Sequence, residues 1–207
     1  MGRLIQFVFL ILVLISCKKG TGEFVIKGTV KDLTFYQGLN GGVVEIYKVP
    51  IGTITEIFIS SQTLDGSGNY EFKVPRDKSE KYIIRVLKAN YFPIKQDLFY
   101  SSLTIASDNI RNLETHAQAW VKIQLKKSNP QSTNYLRYIK QAGLQGCETC
   151  CPSTEQNFYG ATDTTFYCIN NGNQTYSFYY WVIGTANQGL REIVTTPFDT
   201  VSLNLLY

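Results

Sequence analysis

The sequence DGSGNYEFKV, residues 65–74, decides the fold that we predict for this chain. From Tyr70 onward, apolar and polar side chains alternate, which is the pattern of a strand with one buried face and one face in water. Gly66 and Gly68 can adopt positive φ, and the carboxylate of Asp65 can cap the turn that they form. The stretch therefore predicts a chain reversal followed by a strand of an antiparallel β-sandwich.

Similar short apolar runs, separated by turn residues, occur along the rest of the chain. Aromatic residues are frequent, with 14 Tyr and 12 Phe, whereas long apolar stripes at helical spacing are absent from the sequence. The polar stretch 105–117 is predicted to be a linker. The fold class is therefore all-β, with two consecutive antiparallel β-sandwich domains over 24–104 and 118–207. We predict strands over 24–31, 42–49, 53–63, 69–74, 81–88, 96–104, 119–126, 136–141, 164–170, 174–183, 189–195 and 199–206.

Three short motifs in the first predicted domain resemble the carboxypeptidase regulatory-like domain family. They lie at 27–32 (KGTVKD), 39–46 (LNGGVVEI) and 65–72 (DGSGNYEF). Leu64 and Gly42 depart from the family pattern, as does the longer corner at 33–38. The resemblance implies a transthyretin-like seven-strand sandwich that serves as an accessory module without an active site. The matching positions are Gly28, Val30, Asp32, Leu39, Gly41, Val44, Asp65, Gly68 and Tyr70.

The first residues have the layout of a signal peptide, with one cation at Arg3 and an apolar run over 4–15. A membrane-spanning helix needs about 20 apolar residues, so the run is too short for that role. The segment 14–17, LISC, resembles the lipobox of bacterial lipoproteins, and the lysines after Cys17 resemble lipoproteins of Bacteroidetes-type bacteria. The resemblance implies loss of residues 1–16, acylation of Cys17 and a tether over 17–23. An ordinary cleaved signal and an N-terminal anchor helix are the alternatives.

Acylation of Cys17 predicts a lipid-anchored protein of the cell envelope, held at the outer membrane by its N-terminal lipid. No acidic run follows Cys17, which favours the periplasmic side over the exterior. The chain has 20 Lys and Arg against 16 Asp and Glu. This small surplus, without a basic cluster, argues against a nucleic-acid partner.

The sequence contains no motif that predicts catalysis or a bound cofactor. The single histidine, His116, lies in the predicted linker without the partners of a nucleophilic triad. Asp65, Ser67 and Asn69 alternate as calcium ligands do, but the distal glutamate of a calcium loop is missing, so we predict no metal. An enzyme with paired carboxylates that processes glycans is the remaining enzymatic alternative.

Four cysteines, Cys147, Cys150, Cys151 and Cys168, follow the candidate lipidation site. A zinc site would need further Cys or His ligands, and a thioredoxin-type redox pair would need a βαβ setting. Structural disulfides suit an oxidising compartment better than either alternative. A bond between the neighbours Cys150 and Cys151 would be strained. We therefore expect one of these two to bond with Cys168, bracing the loop over 142–161, and the other with Cys147.

The run 176–183, YSFYYWVI, carries aromatic residues on both faces of a predicted strand. Because a sandwich buries only one face, Tyr179 and Trp181 either pack against another part of the protein or form a platform for sugars or peptides. They are the candidate binding residues. We expect a non-enzymatic binding or structural module whose partner is an envelope protein or a glycan. An adhesin, a subunit of an envelope complex and a glycan-processing enzyme are the alternatives.

Overall fold

The structure, a computed structural model, describes residues 22–130, 132–160 and 163–207. Apart from two single turns of 3₁₀-helix, every regular element in these ranges is a β-strand. Four sheets form two β-sandwiches, so the prediction of an all-β chain with two consecutive sandwiches is confirmed. Within the described ranges, no helix is long and apolar enough to cross a membrane. The predicted signal peptide, Cys17 and all of the tether before Gly22 lie outside the described residues.

The first sandwich consists of two sheets that face each other across an apolar core. One sheet has the order β4-β3-β6-β7, and in the other β1 pairs with β2, β5, β8 and β9. The core includes Ile26, Val44, Phe72 and Ile84, all buried. The strands are β1 (Glu23–Asp32), β2 (Gln37–Gly38), β3 (Val43–Pro50), β4 (Ile57–Thr63), β5 (Asn69–Pro75), β6 (Ser79–Leu87), β7 (Ile94–Phe99), β8 (Asn109–Ile110) and β9 (Leu113–Thr115).

The stretch 65–74 folds as its pattern predicts. It forms a turn and then β5, whose apolar side chains Tyr70, Phe72 and Val74 are buried while the intervening residues are exposed. A Cβ atom at Gly68, where φ is +71°, would lie 2.3 Å from the Val30 carbonyl oxygen. The turn therefore requires glycine both for its conformation and for the close approach of β1.

The stretch 105–117 is not a free linker, which corrects the sequence prediction. It contains β8 and β9, and both pair in parallel with β1. The hydroxyl of Tyr70 donates a hydrogen bond of 2.6 Å to the Arg111 carbonyl between them. A Cβ at Gly28 would lie 1.9 Å from the same oxygen, so this crossing needs glycine in β1. Strands of two and three residues are too short to show alternation, and only their partner reveals them.

The second sandwich has one sheet of order β13-β10-β16 and one of order β12-β11-β14-β15. β10 pairs with β16 in parallel, so neither sandwich is purely antiparallel. Its core includes Val121, Tyr138, Tyr176 and Phe178. The strands are β10 (Gln118–Lys126), β11 (Tyr135–Ala142), β12 (Gln156–Phe158), β13 (Asp163–Asn171), β14 (Thr175–Ile183), β15 (Gln188–Val194) and β16 (Thr200–Leu206).

Only His116 and Ala117 separate β9 of the first sandwich from β10 of the second. Phe198, in the turn before β16, contacts two aromatic rings of the first sandwich. Its ring centroid lies 5.9 Å from that of Phe35 and 5.3 Å from that of Tyr91. His116 is half-buried at this junction rather than in an open connection.

Candidate binding surface of the second sandwich

The two faces of β14 have different surroundings. Tyr176, Phe178 and Tyr180 point into the core and are buried. Tyr179 and Trp181 lie on the opposite, outer face of the sheet and are half-buried. Sandwich geometry explains this difference, because consecutive side chains of a strand point to opposite faces and only the inner face is covered.

The outer face of this sheet carries a continuous group of large side chains, which we call the aromatic shelf. Cross-strand pairing places Arg137 beside Trp181 and Ile139 beside Tyr179. On the other side of β14, Leu190 of β15 pairs with Tyr179 and is 48% exposed. Arg137, Ile139, Tyr179, Trp181 and Leu190 together form the shelf. Cross-strand neighbours on one face of a sheet are close enough for their side chains to contact each other.

The geometry of the shelf is set by three contacts at Trp181. The ring centroids of Tyr179 and Trp181 are 4.7 Å apart, and the ring planes are inclined by 52°. The guanidinium carbon of Arg137 lies 4.7 Å from the centroid of the Trp181 ring. Glu155 Oε2 is 3.7 Å from Arg137 Nε, an ion-pair distance that is too long for a hydrogen bond. The cation therefore rests on the indole face, where the electron density of the ring attracts it.

Polar residues border the aromatic shelf along the same row of the sheet. Asn157 of β12 pairs with Arg137, and Gln188 of β15 pairs with Trp181. A central group of large rings and an arginine surrounded by amide side chains is the usual anatomy of a protein-binding patch. Aromatic contacts between the sandwiches are made by Phe198 with Phe35 and Tyr91. The binding role of Tyr179 and Trp181 stays a prediction.

The four later cysteines form two disulfides, as predicted. Cys147 is bonded to Cys150, and Cys151 is bonded to Cys168 of β13. The second bond fastens the loop after β11 to the opposite sheet. Among the described residues, no group of His, Cys, Asp and Glu is arranged to hold a metal ion.

Lys140 is a structural residue that the sequence interpretation missed. The residue is 5% exposed, and its ammonium group donates to the carbonyl oxygens of Leu144, Cys150 and Cys151 at 2.6, 2.9 and 2.8 Å. Burial lowers the pKa of Lys140 below that of an ordinary lysine. The signal was present, because Tyr138 and Lys140 are two residues apart on β11 and so share its inner face.

Asp65 accepts a hydrogen bond of 2.9 Å from the amide of Ser67. This is the predicted turn cap, and hydrogen bonds from the Ser67 hydroxyl and then from its amide lower the pKa of the Asp65 carboxyl. Asn69 belongs to β5 and pairs with Thr29 of β1. The three residues of the calcium alternative therefore serve the turn and the strand that follows it.

Comparison with solved structures finds distant likenesses, several of them to bacterial pilins. The chain is similar to the shaft pilin SpaA of Lactobacillus rhamnosus GG, with 10% identity, a TM-score of 0.34 and coverage of 90% of this chain and 98% of the pilin. For GBS52, the minor pilin of Streptococcus agalactiae, the identity is 8%, the TM-score 0.35 and the coverage 88% and 94%. For the Bacillus anthracis TIE protein these values are 11%, 0.33 and 89%, and the chain spans only 34% of that protein.

No family model matches this chain, and no curated protein matches it. The resemblance of the first domain to the carboxypeptidase regulatory-like family therefore stays a prediction. The structural likeness to pilins is distant, and nothing about the function of this chain follows from it.

Proposed function

We propose that this chain is a lipid-anchored envelope protein that binds a partner protein through the aromatic shelf and has no catalytic role. The observation that carries the proposal is the group of Trp181, Tyr179 and Arg137 on the outer face of the sheet, with Leu190 exposed beside them. Trp, Tyr and Arg are the residues that most often dominate the binding energy of protein interfaces. An adhesin or a subunit of an envelope complex would use such a surface in the same way.

The contacts at Trp181 favour a protein partner over a glycan. A sugar ring stacks on an open, flat aromatic face, whereas the Trp181 ring is covered on one face by the Arg137 guanidinium. The inclination of 52° between the rings of Tyr179 and Trp181 also prevents them from forming one flat platform. An irregular surface with an arginine at its centre suits the irregular surface of another protein.

The two disulfides support a location outside the cytosol. Cys147 with Cys150 and Cys151 with Cys168 are bonded, and such bonds persist in oxidising compartments such as the periplasm. The anchor itself rests on the sequence of residues 14–17. We place the protein at the outer membrane, with the periplasmic side favoured over the exterior.

The experiment is site-specific photocrosslinking in the native envelope, with a benzophenone amino acid at Leu190. The matched control position is Leu206, an exposed leucine of the other sheet. We expect a discrete protein adduct from position 190 and none from 206. The partner, identified by mass spectrometry and purified, should bind the Trp181→Ala protein at least about tenfold more weakly than the wild type.

Equal adducts from both positions, or unchanged affinity in Trp181→Ala, would overturn the shelf as the binding site. An adduct that contains glycan instead of protein would establish the glycan alternative. The anchor is tested in the same cells, because a Cys17→Ala protein should leave the membrane fraction. Retention of that variant on membranes with unchanged electrophoretic mobility would refute acylation.

A further inference from the structure

The chain enters the first sandwich at the same end as the β3–β4 hairpin. The carbonyl oxygen of Gly22 accepts a hydrogen bond of 3.0 Å from the Arg76 amide. The amide of Ile51, at the start of the hairpin, donates at 3.2 Å to the Lys78 carbonyl. Because Arg76 and Lys78 are two residues apart, Gly22 and Ile51 lie close together. We call this end of the sandwich, with Gly22, hairpin 51–56 and loop 100–108, the basal end.

Large apolar side chains are exposed at the basal end. Ile54 at the hairpin is 97% exposed and Ile51 is 66% exposed. Phe99, at the end of β7, and Ile105 are also exposed. A Cβ built on Gly22 would lie 3.6 Å from Ile105, which places this isoleucine beside the point where the chain enters. Exposed apolar side chains grouped in this way mark a site of contact with another protein or with a membrane.

Charges at the basal end do not decide what the surface meets. Arg76 and Lys78 are exposed there, but so are Glu23 and Glu80. Tyr100, whose hydroxyl accepts a hydrogen bond of 2.9 Å from Arg76 Nε, adds an amphipathic ring of the type found at lipid interfaces. We therefore attribute the affinity of the basal end for its binding surface mainly to the exposed apolar side chains.

We infer that the basal end rests on the lipid leaflet, with Ile51 and Ile54 inserted between the headgroups. The inference depends on the proposed acylation of Cys17. Five residues lead from Cys17 to Gly22, and an extended chain spans at most about 3.6 Å per residue. The acyl anchor would therefore hold the basal end within roughly 18 Å of the leaflet, where exposed isoleucines gain by leaving water.

This seating also orients the second sandwich. β1 is a ten-residue strand that begins at the basal end and ends at Asp32, near the junction with the second sandwich. A strand of that length spans about 33 Å. Asp32 accepts a hydrogen bond of 2.7 Å from the hydroxyl of Tyr91, which contacts Phe198. The aromatic shelf would therefore stand away from the leaflet, accessible to a protein partner.

The experiment uses the acylated mature protein in vesicles of phosphatidylcholine with brominated acyl chains, which quench tryptophan fluorescence at contact. Ile54→Trp is compared with Tyr36→Trp. Tyr36 is 88% exposed and lies at the opposite end of the sandwich, after β1. The fluorescence of Trp120 and Trp181, measured in the unsubstituted protein, is subtracted. We expect the tryptophan at position 54 to be quenched roughly twofold or more beyond that at position 36.

Vesicle co-sedimentation separates the two proposals. Protein that co-sediments but shows equal quenching at positions 54 and 36 would overturn the basal seating and leave the anchor intact. Protein that does not co-sediment would overturn both. Since Ile54 is almost fully exposed, its replacement by tryptophan should not disturb the fold, and an unchanged circular dichroism spectrum checks this.

Discussion

Lys140 shows how one side chain can organise a loop that has little regular structure. Its ammonium group lies beneath the cysteine loop and donates to three carbonyl oxygens, those of Leu144, Cys150 and Cys151. Backbone carbonyls in such a loop have no strand partner, and unpaired buried acceptors are costly. A single buried cation with three donors therefore satisfies the loop where a sheet would otherwise do so.

Replacing Lys140 by methionine should lower the free energy of unfolding by about 1–3 kcal/mol, because the carbonyl acceptors lose their donor while the packing volume is kept. Urea denaturation measures the effect. The matched control is Lys126→Met, which removes an exposed lysine of β10 and should change stability by less than about 0.5 kcal/mol. Equal effects of the two substitutions would contradict a special role for Lys140.

Separately from these hydrogen bonds, the lowered pKa of Lys140 makes stability depend on pH, because burial disfavours the charged form in the folded protein. The unfolded chain holds the Lys140 proton to a higher pH than the folded one, so protonation favours unfolding. The contribution of the pKa shift to the free energy of unfolding is fully present above the ordinary lysine pKa. It is lost as the pH falls through the lower pKa that Lys140 has in the folded protein. The stability difference between wild type and Lys140→Met should therefore increase with pH across that alkaline window. A stability difference between the two proteins that stays constant over this pH range would contradict a lowered pKa for Lys140.

At the scale of elements, the cysteine loop is fastened by two disulfides that close loops of different length. Cys151 and Cys168 are 17 positions apart and connect the loop to β13, whereas Cys147 and Cys150 are 3 apart and close a single turn. A crosslink stabilises mainly by restricting the unfolded chain, and longer loops gain more. The two bonds therefore differ in what they contribute.

Replacing Cys151 and Cys168 together by alanine should lower the free energy of unfolding by about 3 kcal/mol, against about 2 kcal/mol for Cys147 and Cys150. Urea denaturation of both double variants gives the comparison. Thiol titration of the denatured, unreduced wild type should find none of the four thiols free. A larger loss of stability in the Cys147 and Cys150 variant than in the Cys151 and Cys168 variant would contradict the assigned contributions. Four titratable thiols in the wild type would contradict the disulfides themselves.

At the scale of the whole molecule, the two sandwiches are joined by a braced junction rather than by a flexible linker. The amide of Gln118 donates at 2.7 Å to the Asn90 carbonyl, and the amide of Gly172 donates at 2.8 Å to the Ala117 carbonyl. Phe198 adds aromatic contacts across the junction. A connection of this kind limits hinge motion, which keeps the aromatic shelf at a fixed distance from the basal end.

Phe198→Ala should loosen the junction by about 1 kcal/mol, because two aromatic contacts are lost. Hydrogen exchange at the Gln118 and Gly172 amides should then accelerate roughly fivefold if these amides exchange through opening of the junction. Phe99→Ala is the matched control, since Phe99 is an exposed phenylalanine at the opposite end. Unchanged exchange in Phe198→Ala would show that the backbone hydrogen bonds alone hold the junction.

The sequence by itself determined the all-β class, twelve of the strands and the cysteines that form disulfides. These depend on local signals, such as the alternation from Tyr70 to Val74 and the conformational demands of turns. The short strands β2 and β12 were missed, and β8 and β9 were taken for a linker, because three residues or fewer carry no periodicity.

Only the tertiary structure decided which cysteines pair, what Lys140 binds and which face of β14 stays exposed. The same holds for the basal end, where residues far apart in sequence, such as Ile54 and Ile105, are exposed at one end of the sandwich. Each of these features is a contact or a position between distant segments. Local sequence patterns determine the secondary structure of a segment, but the packing of the sheets determines which distant segments it contacts.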